Sequence, residues 1–413
     1  MKISERIEAV KGLCSFEGRV AGSDAERRAA NDLARQLRDF GRRAEVEPIY
    51  VHPQWPTVHA FHCVLALAGS LVALNWPPVG FGILLVTAAS MYLDLNGRFY
   101  LLRRLFFRRA SQNVVSRGRS RDADVRLILS ARFDAGRTGA AYGRAWGRAN
   151  ARIAKLVPAP FSPARLVFWS IAFLIPLVGL RMAGVEDTVV SALQLPPTLV
   201  VVLATFLLVD IQLSPPSPAA NSNASGVATV LSLAAELEDE PPENLDVWIV
   251  FAGAGDQVET GMRSFVRDQR DELDREATWF VDVEGVGKGD VRYLVSQGPV
   301  VSFGMASRLT ELCAAIADAD AEREEGSQAR PLASGYAHGS LPAVVRRYPA
   351  TTITCLAGDD PVPQRANTTD DVADELDPHA MERAHRFALE LVRALDRDLA
   401  RRAERGDREP AGP

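Results

Sequence analysis

The chain has 413 residues, of which 47% are hydrophobic and 24% are charged, and its formal net charge is −5. These values are ordinary for a globular protein with a large core. Without bulk positive charge, the composition argues against a nucleic-acid partner, and none is predicted. Residues 1–6 are polar with a helical pattern, so we expect no cleavable signal peptide. A helix with one polar face is predicted over residues 25–40.

Two strongly apolar stretches then interrupt the polar sequence. Residues 58–95 contain two apolar blocks separated by an Asn-Trp-Pro-Pro run, and residues 166–213 contain the blocks 166–183 and 195–209. Each block approaches the length that crosses a hydrocarbon core, and Trp76, Tyr92 and Trp169 lie near block ends, as interfacial anchors do. We predict four membrane-spanning helices in two hairpins. Buried core helices of a soluble protein are the alternative.

Flanking cations predict the orientation of these helices. The cations are Arg98, Arg103, Arg104, Arg108 and Arg109 after the second block, and Arg144, Arg148, Arg152, Lys155 and Arg165 before the third. The two short hairpin connections hold only Arg181. By the positive-inside rule, the large polar segments face the cytoplasm of a multi-pass protein in a bacterial inner membrane.

The remaining sequence alternates strands and helices. Strands are predicted at 125–130, 247–252, 278–283, 291–295 and 351–355, and helices at 224–238, 261–272, 307–317 and 378–402. This alternation predicts an α/β fold with a sheet covered on both faces. The predicted parts of this domain are 1–57, 97–165 and 214–400, with membrane hairpins at 58–96 and 166–213 and a disordered tail at 401–413. Cys14, Cys63, Cys313 and Cys355 show no framework spacing, which leaves isolated thiols or two disulfides open.

Seven short segments follow one another in a recognisable order. They are residues 19–23, 111–115, 129–134, 221–226, 251–257, 281–287 and 367–377. In composition and order they resemble the co-catalytic, two-zinc aminopeptidase and glutamate carboxypeptidase superfamily. The resemblance implies a mixed sheet sandwiched between helices and an ancestral exopeptidase activity. It also identifies the chain as a degenerate, membrane-embedded member, because the family's zinc-binding positions are mostly replaced.

The resemblance implies a role for each motif position. Arg132 stands at a zinc-binding histidine, and a guanidinium has no lone pair to offer a metal. Asp134 matches the aspartate that orients this histidine. Ser222 replaces the carboxylate that bridges both metals, and Asn367 replaces the last histidine ligand. Asp256 and Asp282 match zinc-binding carboxylates.

The general-base position of the family is Gly255, which has no side chain to move a proton, so no catalytic residue is predicted. One metal would keep only Asp256 and the other only Asp282, whereas a catalytic zinc usually has three protein ligands. We therefore expect no cofactor, and zinc only if the chain is an active exopeptidase. Binding of another cation by Asp256 and Asp282 stays open. The predicted pocket consists of Arg132, Asp134, Ser222, Asp256, Asp282 and Asn367. We predict that Arg132 replaces the metal centre by forming a salt bridge with Asp282 or Asp256.

Three functions remain open on the sequence. The first is a membrane-anchored pseudoenzyme that acts by binding a peptide or protein partner. The second is an active metallo-exopeptidase with unusual ligands, in which Glu259 or Glu284 replaces the base and His338 supplies a ligand. We expect Glu259 to face outward and His338 to lie in a surface loop, which argues against it. The third is a structural membrane scaffold whose pocket is closed.

Overall fold

The computed structural model describes residues 1–118, 123, 125–156, 159–185, 188–256, 258–305, 307–321, 326–358 and 360–405. Glu186 and Asp187 of the predicted hairpin connection, Gln257 of the third motif and residues 406–413 of the predicted tail lie outside the described residues.

A nine-stranded mixed sheet forms the centre of the described chain. Its strands are β1 (Glu45–Val51), β2 (Arg109–Ser116), β3 (Val125–Arg132), β4 (Leu245–Ala252), β5 (Thr278–Val283), β6 (Asp290–Gln297), β7 (Phe303–Gly304), β8 (Arg330–Ser334) and β9 (Ala350–Leu356). The order is β1-β2-β4-β3-β5-β9-β6-β7, and β8 pairs with β6. The central strands β4, β3, β5 and β9 are parallel. Nearly all of their residues are buried, because helices cover both faces of the sheet.

Helices lie on both faces of this sheet. The described α-helices outside the apolar stretches are α1 (Ile3–Cys14), α2 (Asp24–Asp39), α5 (Arg144–Leu156), α8 (Ser225–Asp239), α9 (Thr260–Asp268), α10 (Arg308–Ala321), α11 (Leu341–Val344) and α12 (Pro378–Arg405). The larger core packs α1, α2, α8, α10 and α12 against one face, and the smaller core packs α9 and α11 against the other. The predicted α/β fold class is confirmed.

Local capping explains where the first amphipathic helix begins. The Ser23 hydroxyl accepts a hydrogen bond from the Glu26 backbone amide at 3.0 Å, and Asp24 and Glu26 occupy the first turn of α2. A side-chain oxygen at this position satisfies an amide that has no partner within the helix, and acidic residues complement the helix dipole. The predicted helix 25–40 is therefore confirmed with its start one residue earlier.

Among the described residues, four helices are long and apolar enough to cross a membrane, judged by length and composition. They are α3 (Trp55–Val72), α4 (Pro77–Leu95), α6 (Pro163–Met182) and α7 (Thr188–Leu213). The helices α3 and α4 cross closely at Gly69 and Gly80, where an added Cβ on Gly80 would lie 2.5 Å from the Gly69 carbonyl oxygen. Small residues permit such an approach between apolar helices. The helix α7 begins well before the predicted block at 195, and Pro196 and Pro197 lie inside it.

Both apolar hairpins attach near the same end of the sheet. The strand β1 ends at Val51, four residues before α3 begins at Trp55. After α7, the Pro215 carbonyl accepts hydrogen bonds from the backbone amide of Thr138 at 2.9 Å and from its hydroxyl at 2.8 Å. The loop that follows β3 is therefore fixed to the end of α7, which places the apolar helices beside the carboxyl end of a central strand.

Several elements differ from the sequence predictions. The edge strand β1 and the short strands β7 and β8 were not predicted, since few residues in them form an alternating pattern. The helix α12 continues to Arg405, so the first part of the predicted disordered tail is helical. All four cysteines are free thiols, which removes the disulfide alternative.

Candidate functional site

The motif residues converge at the carboxyl ends of the central parallel strands. Arg132 is the last residue of β3, Asp256 follows β4, and Asp282 lies near the end of β5. In open α/β sheets, ligands bind beyond this end of the strands. The candidate site therefore occupies the position that the topology favours.

The Arg132 guanidinium lies among carboxylates inside the site. Its Nε is 3.7 Å from Glu284 Oε2. Among the described residues, Glu284 is the carboxylate that lies at salt-bridge distance from Arg132. The predicted partners, Asp282 and Asp256, are wrong, because Glu284 also projects from this end of β5 and lies closer. Burial acts to lower the pKa of Arg132, but Glu284 and Glu259 outweigh burial and raise it above its usual value.

Gly255, the predicted general-base position, is packed closely against this arginine. A Cβ added to Gly255 would lie 2.9 Å from the Cβ and 3.0 Å from the Cδ of Arg132. These distances are shorter than ordinary contacts between carbon atoms. A glutamate at position 255 would therefore crowd Arg132, so the absence of a side chain at Gly255 makes room for the arginine.

A buried histidine completes the ion pair of Arg132. His338 Nδ1 donates a short hydrogen bond to Glu284 Oε1, and His338 Nε2 shares a 2.6 Å hydrogen bond with the Ser334 hydroxyl. Burial would raise the pKa of Glu284, but His338 and Arg132 together lower it below its usual value. His338 is 5% exposed, so the prediction of a surface histidine is wrong. The loop folds back over β5 and buries it.

Glu259 also points into the site, against the prediction that it faces outward. It precedes α9 in a left-handed conformation with φ 47°, which turns its side chain inward, and it is 1% exposed. Its Oε2 has no hydrogen-bond partner within the described residues. Burial raises the pKa of Glu259 well above its usual value, Arg132 opposes this shift, and Glu284 and Asp282 reinforce it.

Asp282 is held from two neighbouring strands. Its carboxylate accepts hydrogen bonds from the Ser130 hydroxyl at 2.9 Å and from the Thr352 hydroxyl at 3.5 Å. The backbone at Gly339 lies against this carboxylate, since an added Cβ there would be 2.2 Å from Asp282 Oδ1. Burial and the nearby Glu284 raise the pKa of Asp282 well above its usual value. The residue at the ligand position is therefore enclosed by hydroxyls and backbone.

Asp256 is connected to the first apolar helix. Its Oδ2 accepts a 2.7 Å hydrogen bond from the indole Nε1 of Trp55, the first residue of α3. Asn367 lies on the other side, because a Cβ added to Gly136 would be 2.6 Å from Asn367 Oδ1 and 2.9 Å from Asp256 Oδ1. Burial raises the pKa of Asp256 to about 6, although Arg132 opposes this shift. The structure thus brings two predicted pocket residues together and adds Trp55.

Asp134 and Ser222 have structural partners of their own. Asp134 accepts hydrogen bonds from the backbone amides of Gly255 at 2.7 Å and Asp256 at 3.1 Å, so it fixes the turn after β4. The Ser222 hydroxyl donates to Asp371 Oδ2 at 2.6 Å. Asp371 also accepts from the Asn221 amide at 2.6 Å. Asp371 therefore caps the helical turn at Ala220–Ala224, and the Ser222 hydroxyl is taken up by this cap and does not link Asp256 to Asp282.

The side chains present do not fit a pair of zinc ions. In the described part of the chain, no group of three or more His, Cys, Asp or Glu side chains is placed to hold a metal ion. Asp282 is enclosed by Ser130 and Thr352, and Asp256 by Trp55. A permanently cationic guanidinium lies among the carboxylates, where it repels a dication.

Sequence signals for the additional site residues were present in part. Glu284 follows Asp282 by two residues, and side chains two apart along a strand point to the same face. Ser130 is likewise two residues before Arg132, and it pairs in register with Asp282. The contact between Trp55 and Asp256 has no comparable signal in the sequence, because the two residues are 201 positions apart.

Comparisons with known proteins give a consistent result. Residues 204–392 match the model of Peptidase family M28. No curated protein sequence matches the chain. Among solved structures, LapB from Legionella pneumophila is 12% identical with a TM-score of 0.52, covering 96% of this chain and 72% of LapB.

Two further solved structures align with this chain over nearly their whole length. A leucine aminopeptidase precursor from Bacteroides thetaiotaomicron is 14% identical with a TM-score of 0.51, covering 94% of this chain and 96% of that one. Porphyromonas gingivalis glutaminyl cyclase is 11% identical with a TM-score of 0.54, covering 96% and 99%. At these identities the similarity concerns the fold.

Proposed function

We propose that this chain, which belongs to the zinc peptidase superfamily through its M28 peptidase domain and its fold, is a membrane-anchored member that acts by binding and not by zinc-dependent hydrolysis. The family resemblance drawn from the motifs is confirmed by the match over residues 204–392. Loss of activity, the membrane anchor and the partner are the proposal.

The ion pair between Arg132 and Glu284 carries this proposal. Where the family places a metal ligand, this chain places a cation that already neutralises a buried carboxylate. A zinc ion at this place would require the buried guanidinium to move away from Glu284, because two cations this close repel each other strongly. The charge of Glu284 is thus balanced without a metal.

Membrane anchoring is supported by the four long apolar helices and by the exposed apolar side chains on their surfaces. Many large apolar side chains on these helices are exposed, including Phe206 at 71% and Leu71 at 66%. In water, such a surface is unfavourable by about 25 cal/mol per Å². A bilayer removes this cost, and the flanking arginines favour a cytoplasmic domain.

A cavity of about 120 Å³ adjoins the site and supports binding of a partner. Its lining includes Trp55, Asp256, Arg137 and Gln212, so it lies where the α/β domain meets the apolar helices. Such a space accommodates a side chain of a peptide or protein. The pocket would then recognise its partner by shape and charge.

Glu259 favours a second candidate, an active exopeptidase with unusual groups. Glu259 is a buried carboxylate with a raised pKa and one oxygen without a hydrogen-bond partner in the described chain, as expected for a group that accepts a proton. The candidate also requires metal ligands in place of Arg132 and Asn367. The structural scaffold remains a third candidate, and it predicts no binding of peptides.

Metal content and activity test the proposal together. The full chain is purified in detergent without chelators, and zinc per chain is measured by elemental analysis beside the hydrolysis of aminoacyl anilides. We expect well under one zinc per chain and no hydrolysis that a chelator abolishes. About two zincs per chain, or chelator-sensitive hydrolysis, would overturn the proposal.

A variant with the family's ligand types serves as the positive control for zinc detection in this fold. In Arg132→His/Ser222→Asp/Asn367→His, the ligand types that the family uses are restored, and we expect bound zinc to rise. Calorimetry with a peptide library then separates binding from scaffolding in the wild-type chain. No heat from any peptide or partner-derived segment would favour the scaffold.

A further inference from the structure

The segment that follows α4 combines exposed apolar and cationic side chains. This juxtamembrane segment, residues 97–109, contains five arginines and no acidic residue. Its exposed apolar side chains include Leu105 at 73% and Phe107 at 82%. Arg98, Arg104 and Arg108 are exposed beside them. Within the described chain, no carboxylate pairs with these three guanidinium groups.

The segment is held in place although its outer surface is unpartnered. Arg103 is buried and paired with Asp94 at 2.8 Å, and its Nη1 donates to the His52 carbonyl at 3.2 Å. Arg263 of α9 stacks over Tyr100 at 3.8 Å and donates to the Arg98 carbonyl at 2.8 Å. The exposed side chains are therefore presented by a fixed backbone.

Aromatic rings orient the exposed arginines. The Arg104 guanidinium lies 4.3 Å from the Phe99 ring centroid, and the Arg108 guanidinium lies 4.7 Å from that of Tyr50. Stacking leaves the edge of a guanidinium free to donate hydrogen bonds, and its fork matches phosphate oxygens. Leucine and phenylalanine beside it suit the boundary between headgroups and acyl chains.

The position of the segment identifies its partner. It begins two residues after α4 ends at Leu95, and the Phe106 carbonyl accepts a 2.8 Å hydrogen bond from His52 Nδ1, three residues before α3 begins. If α3 and α4 span a bilayer, as proposed above, these residues lie at the level of its headgroups. We propose that the juxtamembrane segment binds anionic phospholipid headgroups through Arg98, Arg104 and Arg108, with Leu105 and Phe107 inserted beside them.

Lipid titration tests this proposal on the full chain. Phosphatidylglycerol or phosphatidylcholine is titrated in mixed micelles, and the apparent affinity is taken from the rise in Tm with lipid. An arginine near an anionic surface strengthens binding about fivefold. We therefore expect Arg98→Gln/Arg104→Gln/Arg108→Gln to weaken phosphatidylglycerol binding on the order of 10²-fold, and high salt to weaken it in the wild type.

A control variant separates position from charge. Arg27→Gln/Arg28→Gln/Arg35→Gln removes three exposed arginines from α2 and should leave the lipid affinity unchanged. Equal loss in both variants, equal affinity for phosphatidylcholine, or an equal effect of glycerol phosphate alone would overturn the proposal. An equal effect of a short oligonucleotide would indicate a nucleic-acid surface instead.

A second measurement does not depend on the triple variant folding. In nanodiscs, the tryptophan of Phe107→Trp should be quenched more by brominated phosphatidylglycerol than by brominated phosphatidylcholine at equal mole fraction, and equal quenching would contradict the proposal. Alkaline carbonate washing of membranes tests the anchor separately. Release of the chain would refute membrane spanning, whereas the micelle titration would still report on headgroup binding.

Discussion

Two buried arginine–carboxylate pairs in this molecule differ in how closely charge is matched. At the end of α4, Arg103 Nε lies 3.0 and 2.9 Å from the two oxygens of Asp94, and both side chains are 1% exposed. In the candidate site, Arg132 lies 3.7 Å from Glu284 and also faces Glu259, Asp134 and Asp256.

The difference shows how the buried charges of each region are balanced. The first pair joins one cation to one carboxylate, so its geometry is tight and it serves to fix the chain beside the apolar helices. The second region holds several acids where relatives bind metal, and one guanidinium cannot neutralise them all. Burial raises the pKa of Asp256 to about 6 and the pKa values of Asp282 and Glu259 well above their usual values, which favours the protonated form of each.

The largest effect is expected from breaking the tight pair. Arg103→Met should lower the free energy of unfolding by about 3–5 kcal/mol, because Asp94 would be buried without a partner. The measurement is Tm in detergent by tryptophan fluorescence. Arg103→Met/Asp94→Asn should recover most of the loss, and equal Tm values for the two variants would contradict this account.

A smaller and pH-dependent effect is expected at the loose pair. Arg132→Met should cost about 2 kcal/mol at pH 8, since the surrounding carboxylates lose their cation. Their folded pKa values would rise further, so the folded state would bind more protons than the unfolded state and stability would fall as pH rises above about 4. At pH 5 the loss in Tm should therefore be smaller.

Arg292→Met provides the control for this pH dependence. Arg292 is also buried and lies 3.7 Å from Asp290, but it is outside the acidic cluster. Its substitution should change Tm by the same amount at pH 5 and pH 8. A pH-independent loss for Arg132→Met would mean that the cluster is not neutralised by protons.

The smallest effect is expected from removing the charge of Asp256, which should increase the stability of the fold. Burial raises the pKa of Asp256 to about 6, so the wild type loses stability as pH rises from the unfolded value near 4 through 6. Asp256→Asn removes this loss and still accepts the Trp55 hydrogen bond through its amide oxygen. We expect a gain of about 1–2 kcal/mol at pH 8 and none at pH 4.

Asp290→Asn, at the half-exposed start of β6, is the reference for this measurement. It should leave the pH profile of Tm unchanged. If Asp256→Asn lowers Tm at pH 8, then the ionised carboxylate stabilises the fold and the comparison between the two regions is wrong.

The sequence by itself determined the central strands, most of the helices and the chemistry that the motif positions can offer. Strand and helix patterns depend on neighbours along the chain, so residues 278–283 were predicted with the bounds that β5 has. The prediction that metal ligands are replaced likewise rests on local information. A guanidinium at position 132 and a glycine at position 255 lack the required groups in any fold.

The tertiary structure decided which groups meet. Glu259 enters the site because a left-handed residue starts α9 there, and His338 enters because its loop covers the end of β5. Trp55 reaches Asp256 from a helix that the sequence assigns to the membrane. Such partners are chosen by the directions of side chains at the ends of elements far apart in the chain, and hydrophobic periodicity carries no information about those directions.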